Sequence, residues 1–187
     1  MPSNIHPTAY VDSKATIAPS VEIGPYCVVG EGVVLEANVK LISHVVITGN
    51  VFIDTNTCIY PFAVIGQDPQ FVGVLDEERK VLIGKSCQIR EHVTIHPGTR
   101  KGGNTTKIGD ACLLMVATHI AHDCQVGNHV TMANNATLGG HCLVEDHVII
   151  GGLSAVHQFV RIGQGVIVGG MSGVENDVGS VTFDPSL

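Results

Sequence analysis

The chain has 187 residues, enough for one domain with a substantial core, and it contains no Trp and only 4% aromatic residues, so that core must be aliphatic. The formal net charge of -7 argues against nucleic acid as a partner, because phosphate binding requires a basic face. No apolar run approaches the ~20 residues of a membrane span, and the N-terminus lacks the basic and apolar regions of a signal peptide, which predicts a cytoplasmic protein.

The N-terminal third of the chain repeats with a period of six residues. An aliphatic residue occupies every sixth position, and the residue four places after it is mostly small or β-branched. Frequent Gly, Asn and Asp between these positions are typical of short strands joined by tight turns, whereas the apolar stripe of a helix recurs at about 3.6 residues. Both positions are predicted to face the interior of an all-β, parallel β-helix. The aliphatic positions are Ile5, Val11, Ile17, Ile23, Val29, Leu35, Leu41, Ile47, Ile53, Ile59 and Ile65.

Two polar, glycine-containing segments interrupt the repeat. The first, residues 66–82, ends where the repeat resumes in phase at Ile83, and the second, residues 100–107, shifts it by one residue. Both are predicted to be protruding loops on a single domain that spans residues 1–187. The repeat then continues through Ile108, Leu114, Ile120, Val126, Met132, Leu138, Val144, Ile150, Val156, Ile162, Val168 and Val174.

Five of the six cysteines fall on the small inward position of a hexad, and no CxxC pair occurs. We therefore interpret them as buried apolar side chains rather than as zinc ligands. Cys58 lies elsewhere in its hexad and is assigned no role. The five inward residues are Cys27, Cys87, Cys112, Cys124 and Cys142.

The hexads resemble those of hexapeptide-repeat proteins, whose left-handed coils place three hexads, or about 18 residues, around a triangular prism. The resemblance implies a left-handed parallel β-helix. The segment 119–124, HIAHDC, interrupts the apolar pattern with two imidazoles and a carboxylate. Ile120 and Cys124 are the inward residues of this hexad, so His122 and Asp123 are predicted to lie outside the prism.

Stacked coils of this length place His122 in one column with Gly140 and Gln158, flanked by His141 and His157. A glycine above an imidazole permits close approach of something that is not protein, such as a substrate. An imidazole beside a carboxylate and an open backbone N–H has the parts for general-base catalysis with oxyanion stabilisation. The plainer alternatives are a glycine that only turns a corner and histidines that are solvated or lie in a subunit interface. That alternative also applies to His44, His92, His96, His129 and His147.

Four longer motifs carry a closer resemblance: IREHVTIHPGT at 89–99, LLMVATHIAHDC at 113–124, ANNATLGG at 133–140 and IIGGLSAVHQF at 149–159. With them the chain resembles the acyl-carrier-protein-dependent UDP-N-acetylglucosamine O-acyltransferase family of lipid A biosynthesis. The resemblance implies a homotrimer with active sites between subunits and an acyl carrier protein whose phosphopantetheine carries the (3-hydroxy)acyl group. It also implies a sugar nucleotide acylated at its 3-position, and neither a metal nor a cofactor on the protein.

The resemblance also assigns roles to single residues. His122 matches the general base that removes the proton from the sugar 3-hydroxyl, Asp123 would orient or polarise its imidazole, and the Gly140 N–H would hold the thioester oxyanion. Gly170 matches the position that measures acyl length, where a glycine leaves room for a longer chain unless Met171 crowds the pocket. The residues expected to contact the sugar nucleotide or the acyl donor are His119, His141, His157, Gln158 and Gln70.

Two features depart from the family pattern. Phe71 and Gly73 stand where the family usually carries Asp and Lys, and the family's C-terminal helical domain does not follow position 187. The alternatives are a short paralogue that acylates another acceptor or uses acyl-CoA, a non-catalytic scaffold, and the zinc carbonic anhydrase built on the same prism. The last takes three His ligands from two subunits, which the spacing in HIAHDC does not favour. Arg90, Arg100, Lys101 and Lys107 are either solvated or a docking site for an acidic partner.

Overall fold

The structure, a computed structural model, describes residues 4–70, 72–73 and 78–181, and its strands are two residues long except for three of four residues. None of these residues belongs to a helix with the length and apolar character needed to cross a bilayer. One turn of 3-10 helix spans Arg100–Gly102. The strands are β1 (Asn4–Ile5), β2 (Tyr10–Val11), β3 (Thr16–Ile17), β4 (Glu22–Ile23), β5 (Val28–Val29), β6 (Val34–Leu35), β7 (Lys40–Leu41), β8 (Val46–Ile47), β9 (Asn50–Ile53), β10 (Cys58–Ile59), β11 (Val64–Ile65), β12 (Lys80–Ile83), β13 (Gln88–Ile89), β14 (Thr94–Ile95), β15 (Thr105–Ile108), β16 (Leu113–Leu114), β17 (His119–Ile120), β18 (Gln125–Val126), β19 (Thr131–Met132), β20 (Thr137–Leu138), β21 (Leu143–Val144), β22 (Ile149–Ile150), β23 (Ala155–Val156), β24 (Arg161–Ile162), β25 (Ile167–Val168) and β26 (Gly173–Val174).

Every third strand lies on the same side of a triangular prism, so three parallel sheets form its faces. The first face runs β1-β4-β7-β10-β13-β16-β19-β22-β25, and the second runs β2-β5-β8-β11-β14-β17-β20-β23-β26. The third face runs β3-β6-β9-β12-β15-β18-β21-β24. Within a face, each strand pairs in parallel with the strand one coil above, as Ile47 does with Ile65. The predicted parallel β-helix is therefore confirmed.

The core is the column of inward aliphatic side chains that the hexads predict. On the second face Ile65, Ile95 and Ile120 stack in register and are fully buried. Each such side chain contributes roughly 1.5–3 kcal/mol through removal of its apolar surface from water. The five inward cysteines are buried as free thiols, whereas Cys58 is only half-buried on the first face.

The corners of the prism turn at residues in the left-handed region of backbone space. His44, His92, His129 and His147 occupy such positions, with φ between 51° and 61°. Their rings are exposed and stack on the neighbouring coil; those of His129 and His147 lie 4.9 Å apart and nearly parallel. These four histidines are corner residues outside the candidate site.

Both predicted loops end earlier than the sequence pattern suggested, and the second, which occupies residues 96–104 between β14 and β15, also begins earlier. The last residues of 66–82 belong to β12, which pairs with β9, and the last residues of 100–107 belong to β15, which pairs with β12. Val81 and Thr106 are buried on the small inward position of these longer strands. Their polar neighbours face outward, and this polarity was mistaken for loop character.

Candidate active site

The residues singled out in HIAHDC lie in the turn between β17 and β18, at the corner where the second and third faces meet. Nδ1 of His122 lies 2.8 Å from Oδ2 of Asp123. A carboxylate oxygen only accepts hydrogen bonds, so this contact places a proton on Nδ1 and leaves Nε2 with a lone pair. The His122 side chain is 14% exposed, which allows Nε2 to take a proton from a group bound at the surface.

The ring of His122 lies against the backbone of Gly140 on the next coil. A Cβ atom at this position would be 2.6 Å from Cε1 and 2.8 Å from Nε2 of His122, closer than such atoms approach without displacement. The φ of Gly140 is not in the left-handed region, so the turn itself does not require glycine. Glycine is required because the imidazole of His122 leaves no room for a Cβ atom. No backbone hydrogen bond among the described residues occupies the Gly140 N–H.

Asp123 is more deeply buried than predicted. The hexad pattern placed it outside the prism, and it does lie there, but its side chain is 0% exposed because the second loop, residues 96–104, folds across it. The N–H and the hydroxyl of Thr99 both reach the carboxylate, and a Cβ at Gly102 would lie 2.1 Å from its Cγ. Sequence reasoning missed Thr99 because it lies 24 positions upstream, in a segment outside the repeat.

His141 completes the corner above Asp123. Its ring meets that of His122 edge to face, with 5.1 Å between the ring centroids, and stacks on Phe159, whose centroid lies 4.5 Å away. Burial lowers the pKa of His141 below its ordinary value, although the nearby Asp123 carboxylate acts in the opposite direction. His141 is therefore neutral at pH 7. Phe159, which stacks on this ring, was not singled out by the sequence pattern.

His119 lies on β17, in the outward row of the second face. Its Nδ1 is 2.7 Å from the hydroxyl oxygen of Thr94, and its ring meets that of His96 edge to face at 5.0 Å between centroids. Burial lowers the pKa of His119, and burial followed by the charges of His119 and His122 lowers the pKa of His96 to about 4. The interpretation of His96 as a solvated residue is wrong, because the residue is 8% exposed within this chain.

The other predicted site residues lie farther from the corner. His157 and Gln158 are exposed one coil above Gly140, with Nδ1 of His157 3.1 Å from the Gln158 carbonyl oxygen. Gln70 is exposed in the first insertion, where Phe71 lies outside the described residues. Gly170 and Met171 occupy the corner between the first and second faces, so a single chain does not bring them to His122.

Three groups at the corner could in principle hold a metal ion: His122, Asp123 and His141 present ligand atoms within 4.8 Å of one another. Oδ2 of Asp123 already accepts hydrogen bonds from the His122 ring and the Thr99 hydroxyl. A cation would have to displace both. The set also contains two histidines and a carboxylate from one chain, whereas the zinc alternative requires three histidines from two subunits.

Comparisons of this chain with known proteins all indicate the same family. The model of the bacterial transferase hexapeptide (six repeats) matches residues 2–37 and 105–140. The acyl-[acyl-carrier-protein]–UDP-N-acetylglucosamine O-acyltransferase of Rhizobium johnstonii is 50% identical over 188 aligned residues, which cover 99% of this chain and 69% of that protein. The protein of the same description from Campylobacter concisus is 40% identical over 94% of this chain and 67% of its own length.

Solved structures agree with the sequence relatives. LpxA from Acinetobacter baumannii matches with a TM-score of 0.92 and 46% identity, covering 93% of this chain and 67% of that one. The UDP-N-acetylglucosamine acyltransferase of Francisella novicida gives a TM-score of 0.91 and 37% identity, covering 95% and 67%. The predicted left-handed parallel β-helix is thereby confirmed. The chain belongs to the acyl-[acyl-carrier-protein]–UDP-N-acetylglucosamine O-acyltransferase family of hexapeptide-repeat proteins.

Proposed function

We propose that this chain transfers a (3-hydroxy)acyl group from acyl carrier protein to the 3-hydroxyl of UDP-N-acetylglucosamine. The observation that carries the proposal is the contact of His122 with Asp123 on one side and with Gly140 on the other. This pair of contacts provides an oriented base and a backbone donor at one point, in a chain that is half identical to an acyltransferase over nearly its whole length.

The chemistry follows from the two ring nitrogens of His122, of which Nδ1 binds Asp123 and Nε2 acts as the base. Nε2 of His122 takes the proton of the sugar hydroxyl as its oxygen attacks the thioester carbonyl, and the C–O bond forms. The carbonyl oxygen becomes an oxyanion, which accepts the Gly140 N–H. The tetrahedral intermediate then breaks its C–S bond, and the imidazolium returns the proton to the departing thiolate of phosphopantetheine. No metal or cofactor on the protein takes part.

The exposed basic residues near the site suit an acidic carrier protein. Arg100 and Lys101 in the second loop and Lys107 on β15 are exposed, and Lys101 lies close enough to His141 to contribute to its lowered pKa. Arg90 differs, because it pairs with Glu91 and lies over the Tyr60 ring. The polar groups expected to bind sugar or donor are those of His119, His141, His157, Gln158 and Gln70.

The quaternary state that we propose is a homotrimer in the cytoplasm. Gly170 and Met171 lie at a different corner from His122, so an acyl chain that begins at the base can reach them only on a neighbouring subunit. The domain expected from the sequence is a single β-helix. A cleft between two such prisms would also cover the exposed Phe159 ring.

The test is an acyl-transfer assay on purified protein with a series of acyl carrier protein thioesters and UDP-N-acetylglucosamine. We expect a 3-O-acyl sugar nucleotide and free carrier thiol in equal amounts, with acyl-CoA a poorer donor. Failure to form acyl sugar with any chain length, or stoichiometric zinc in the purified protein, would contradict the proposal. A 3-deoxy acceptor serves as the control, because it retains the nucleotide but lacks the nucleophile.

A further inference from the structure

The carboxylate of Asp123 is held by one residue of the second loop as well as by His122. The Thr99 N–H donates to Oδ1 at 2.7 Å, and the Thr99 hydroxyl donates to Oδ2 at 2.6 Å. We infer that Thr99 is a positioning residue for the acyl transfer, acting through Asp123 on the base His122. This inference rests on the proposed function, and the sequence pattern gave no indication of it.

The polar groups of Thr99 are all engaged. Its N–H and hydroxyl bind the carboxylate, while its carbonyl oxygen accepts the N–H of Gly102 at 3.0 Å and that of Asn104 at 2.8 Å. The residue is 1% exposed. The carbonyl oxygen of Thr99 thus closes the second loop, while the N–H and the hydroxyl of the same residue hold the Asp123 carboxylate.

The strand that follows the loop, β15, fixes the backbone of Asp123. The Asp123 N–H donates to the hydroxyl oxygen of Thr106 at 2.8 Å, and Gly102 packs on the carboxylate with no room for a side chain. Main chain and carboxylate are therefore held from opposite ends of one segment. Asp123 also has a positive φ of 63°, as do other non-glycine residues at the corners of the prism.

The shared oxygen gives this arrangement a chemical consequence. Oδ2 accepts both the Thr99 hydroxyl and Nδ1–H of His122, and two donors on one carboxylate oxygen fix its rotation. By donating a hydrogen bond to the Asp123 carboxylate, the Thr99 hydroxyl also weakens the attraction of that carboxylate for the imidazolium form of His122. Thr99 is thus expected to set both the direction of Nε2 and the pH at which the imidazole becomes protonated. A residue that only closed the loop would set neither.

The test compares Thr99→Val with Thr99→Ser. Valine keeps the β-branched shape, suits the extended backbone of residue 99 (φ -123°, ψ 162°) and retains the N–H, so it removes the hydroxyl alone. We expect kcat to fall by about tenfold, with KM for the sugar nucleotide unchanged, because outer hydrogen bonds to a catalytic group typically contribute this much. The acid limb of the kcat profile should move to higher pH. Serine restores the hydroxyl and should restore both readouts.

The other titratable groups around His122 stay in place in these variants. They are Asp123 and His141 at the corner, His119 and His96 on the second face, and Lys101, which acts on His141. The matched control is Thr57→Val. Thr57 is equally buried and its hydroxyl also makes two hydrogen bonds, to Gly84 and from Cys87, but at a different corner of the prism. It should lower the melting temperature and leave the pH profile unchanged.

The outcomes separate this inference from the proposed function. If wild-type protein transfers no acyl group, the proposed function fails, and the downfield proton resonance of Nδ1–H, identified by its loss in His122→Ala, still reports the contact. A Thr99→Val protein with an unchanged resonance, or with wild-type kcat and pH profile, would overturn the inference. So would equal losses in Thr99→Val and Thr57→Val that follow only the folded fraction.

Discussion

His122 and Asp123 are adjacent in sequence, but they occupy different environments. The imidazole lies on Gly140 at the edge of solvent, whereas the carboxylate is enclosed by the second loop. A base must reach its substrate, while the group that orients it gains from exclusion of water, because hydrogen bonds to charge are stronger in a low dielectric. We therefore expect replacement of His122 to lower activity more than stability, and replacement of Asp123 to lower stability more than replacement of His122 does.

The first prediction concerns His122→Ala. A sugar hydroxyl is a poor nucleophile at neutral pH, so loss of the base should lower kcat by about a hundredfold to ten-thousandfold. The residue is outside the inward columns, and the unfolding free energy should change by less than about 1 kcal/mol. Steady-state kinetics and thermal melts check the two halves. A folded variant that keeps most of its activity would refute the assigned role.

The second prediction concerns Asp123→Asn, with His122→Ala as its comparison. The amide NH2 would face the donors of Thr99 or the ring of His122, which leaves buried groups without an acceptor. Such a mismatch costs about 1–3 kcal/mol, so this variant should melt at a lower temperature than His122→Ala while retaining more activity. The reverse order of melting temperatures would show that the burial of Asp123 does not contribute to stability.

The third prediction uses the pKa of about 4 at His96. An unfolded histidine has a pKa near 6.5, so as the pH falls the unfolded chain takes up the proton first. The contribution to stability is complete above about pH 6.5 and is lost toward about pH 4, with a slope of up to about 1.4 kcal/mol per pH unit. Urea unfolding at pH 7 and pH 5, at fixed protein concentration, should show this loss.

The control for His96 is His92, an exposed corner histidine. His96→Asn should reduce the difference in stability between pH 7 and pH 5, and His92→Asn should leave it as in the wild type. His119 and His141, whose pKa values are also lowered by burial, keep the difference from vanishing. Identical pH dependence in His96→Asn and wild type would contradict the assignment.

At the scale of the elements, a feature can be predicted from the sequence when the residues that determine it lie close together along the chain. The strands are local: an aliphatic residue and a small residue four places later identify each inward pair, and the columns of Ile47, Ile65 and Ile95 follow. The true ends of the insertions are not local, because Lys80–Ile83 becomes a strand only by pairing with Asn50–Ile53, thirty positions earlier. Polarity alone cannot reveal that partner.

The candidate site shows the same limit. His122 and Gly140 are related by one coil, so the repeat placed them together, and their contact is observed. Asp123 was placed correctly on the outside of the prism, but its burial depends on a loop that interrupts the repeat. A periodic pattern contains no information about segments that are not periodic. For that reason Thr99 and the buried environment of His96 could not be predicted.

The fourth prediction concerns the turn between β25 and β26. Gly170 does not have a positive φ, and a Cβ there would lie 3.3 Å from the Gly152 carbonyl oxygen, so a longer side chain needs only a small adjustment. Gly170→Met should shorten the preferred acyl chain, because each methylene excluded from an apolar pocket costs about 0.8 kcal/mol. Mass spectrometry of products from a mixture of acyl carrier protein thioesters gives the chain length.

The matched control for this variant is the preceding glycine. A Cβ at Gly169 would meet nothing closer than Ser172 Oγ at 3.7 Å, so Gly169→Met introduces the same side chain in the same turn at a position not assigned to the ruler. It should leave the product distribution close to that of the wild type. If Gly170→Met also leaves the distribution unchanged, Gly170 does not measure chain length.

At the scale of the whole molecule, large apolar side chains such as Tyr10 and Tyr26 are exposed on the early coils, and others are exposed on the upper coils. The upper coils expose several, including Leu153, Phe159, Ile167 and Met171, the last at 81%. Met115, lower on the first face, is half-buried within the chain. Contiguous exposed apolar surface on a folded domain usually marks an interaction site. Under the proposed function, a contact between subunits would also bring Gly170 of one chain toward His122 of another, because the two residues lie on different corners of a single chain.

The last prediction is that the protein is a trimer and that its activity depends on the trimer. Light scattering at micromolar concentration should give three times the chain mass of 19.7 kDa. In the proposed trimer, one chain carries the base and its neighbour carries the acyl ruler. Dilution below the dissociation constant of the trimer should therefore lower the specific activity in parallel with the measured mass. Above that concentration, both should stay constant. A monomer with full activity would contradict both the trimer and the assignment of the acyl ruler to Gly170 of a neighbouring subunit.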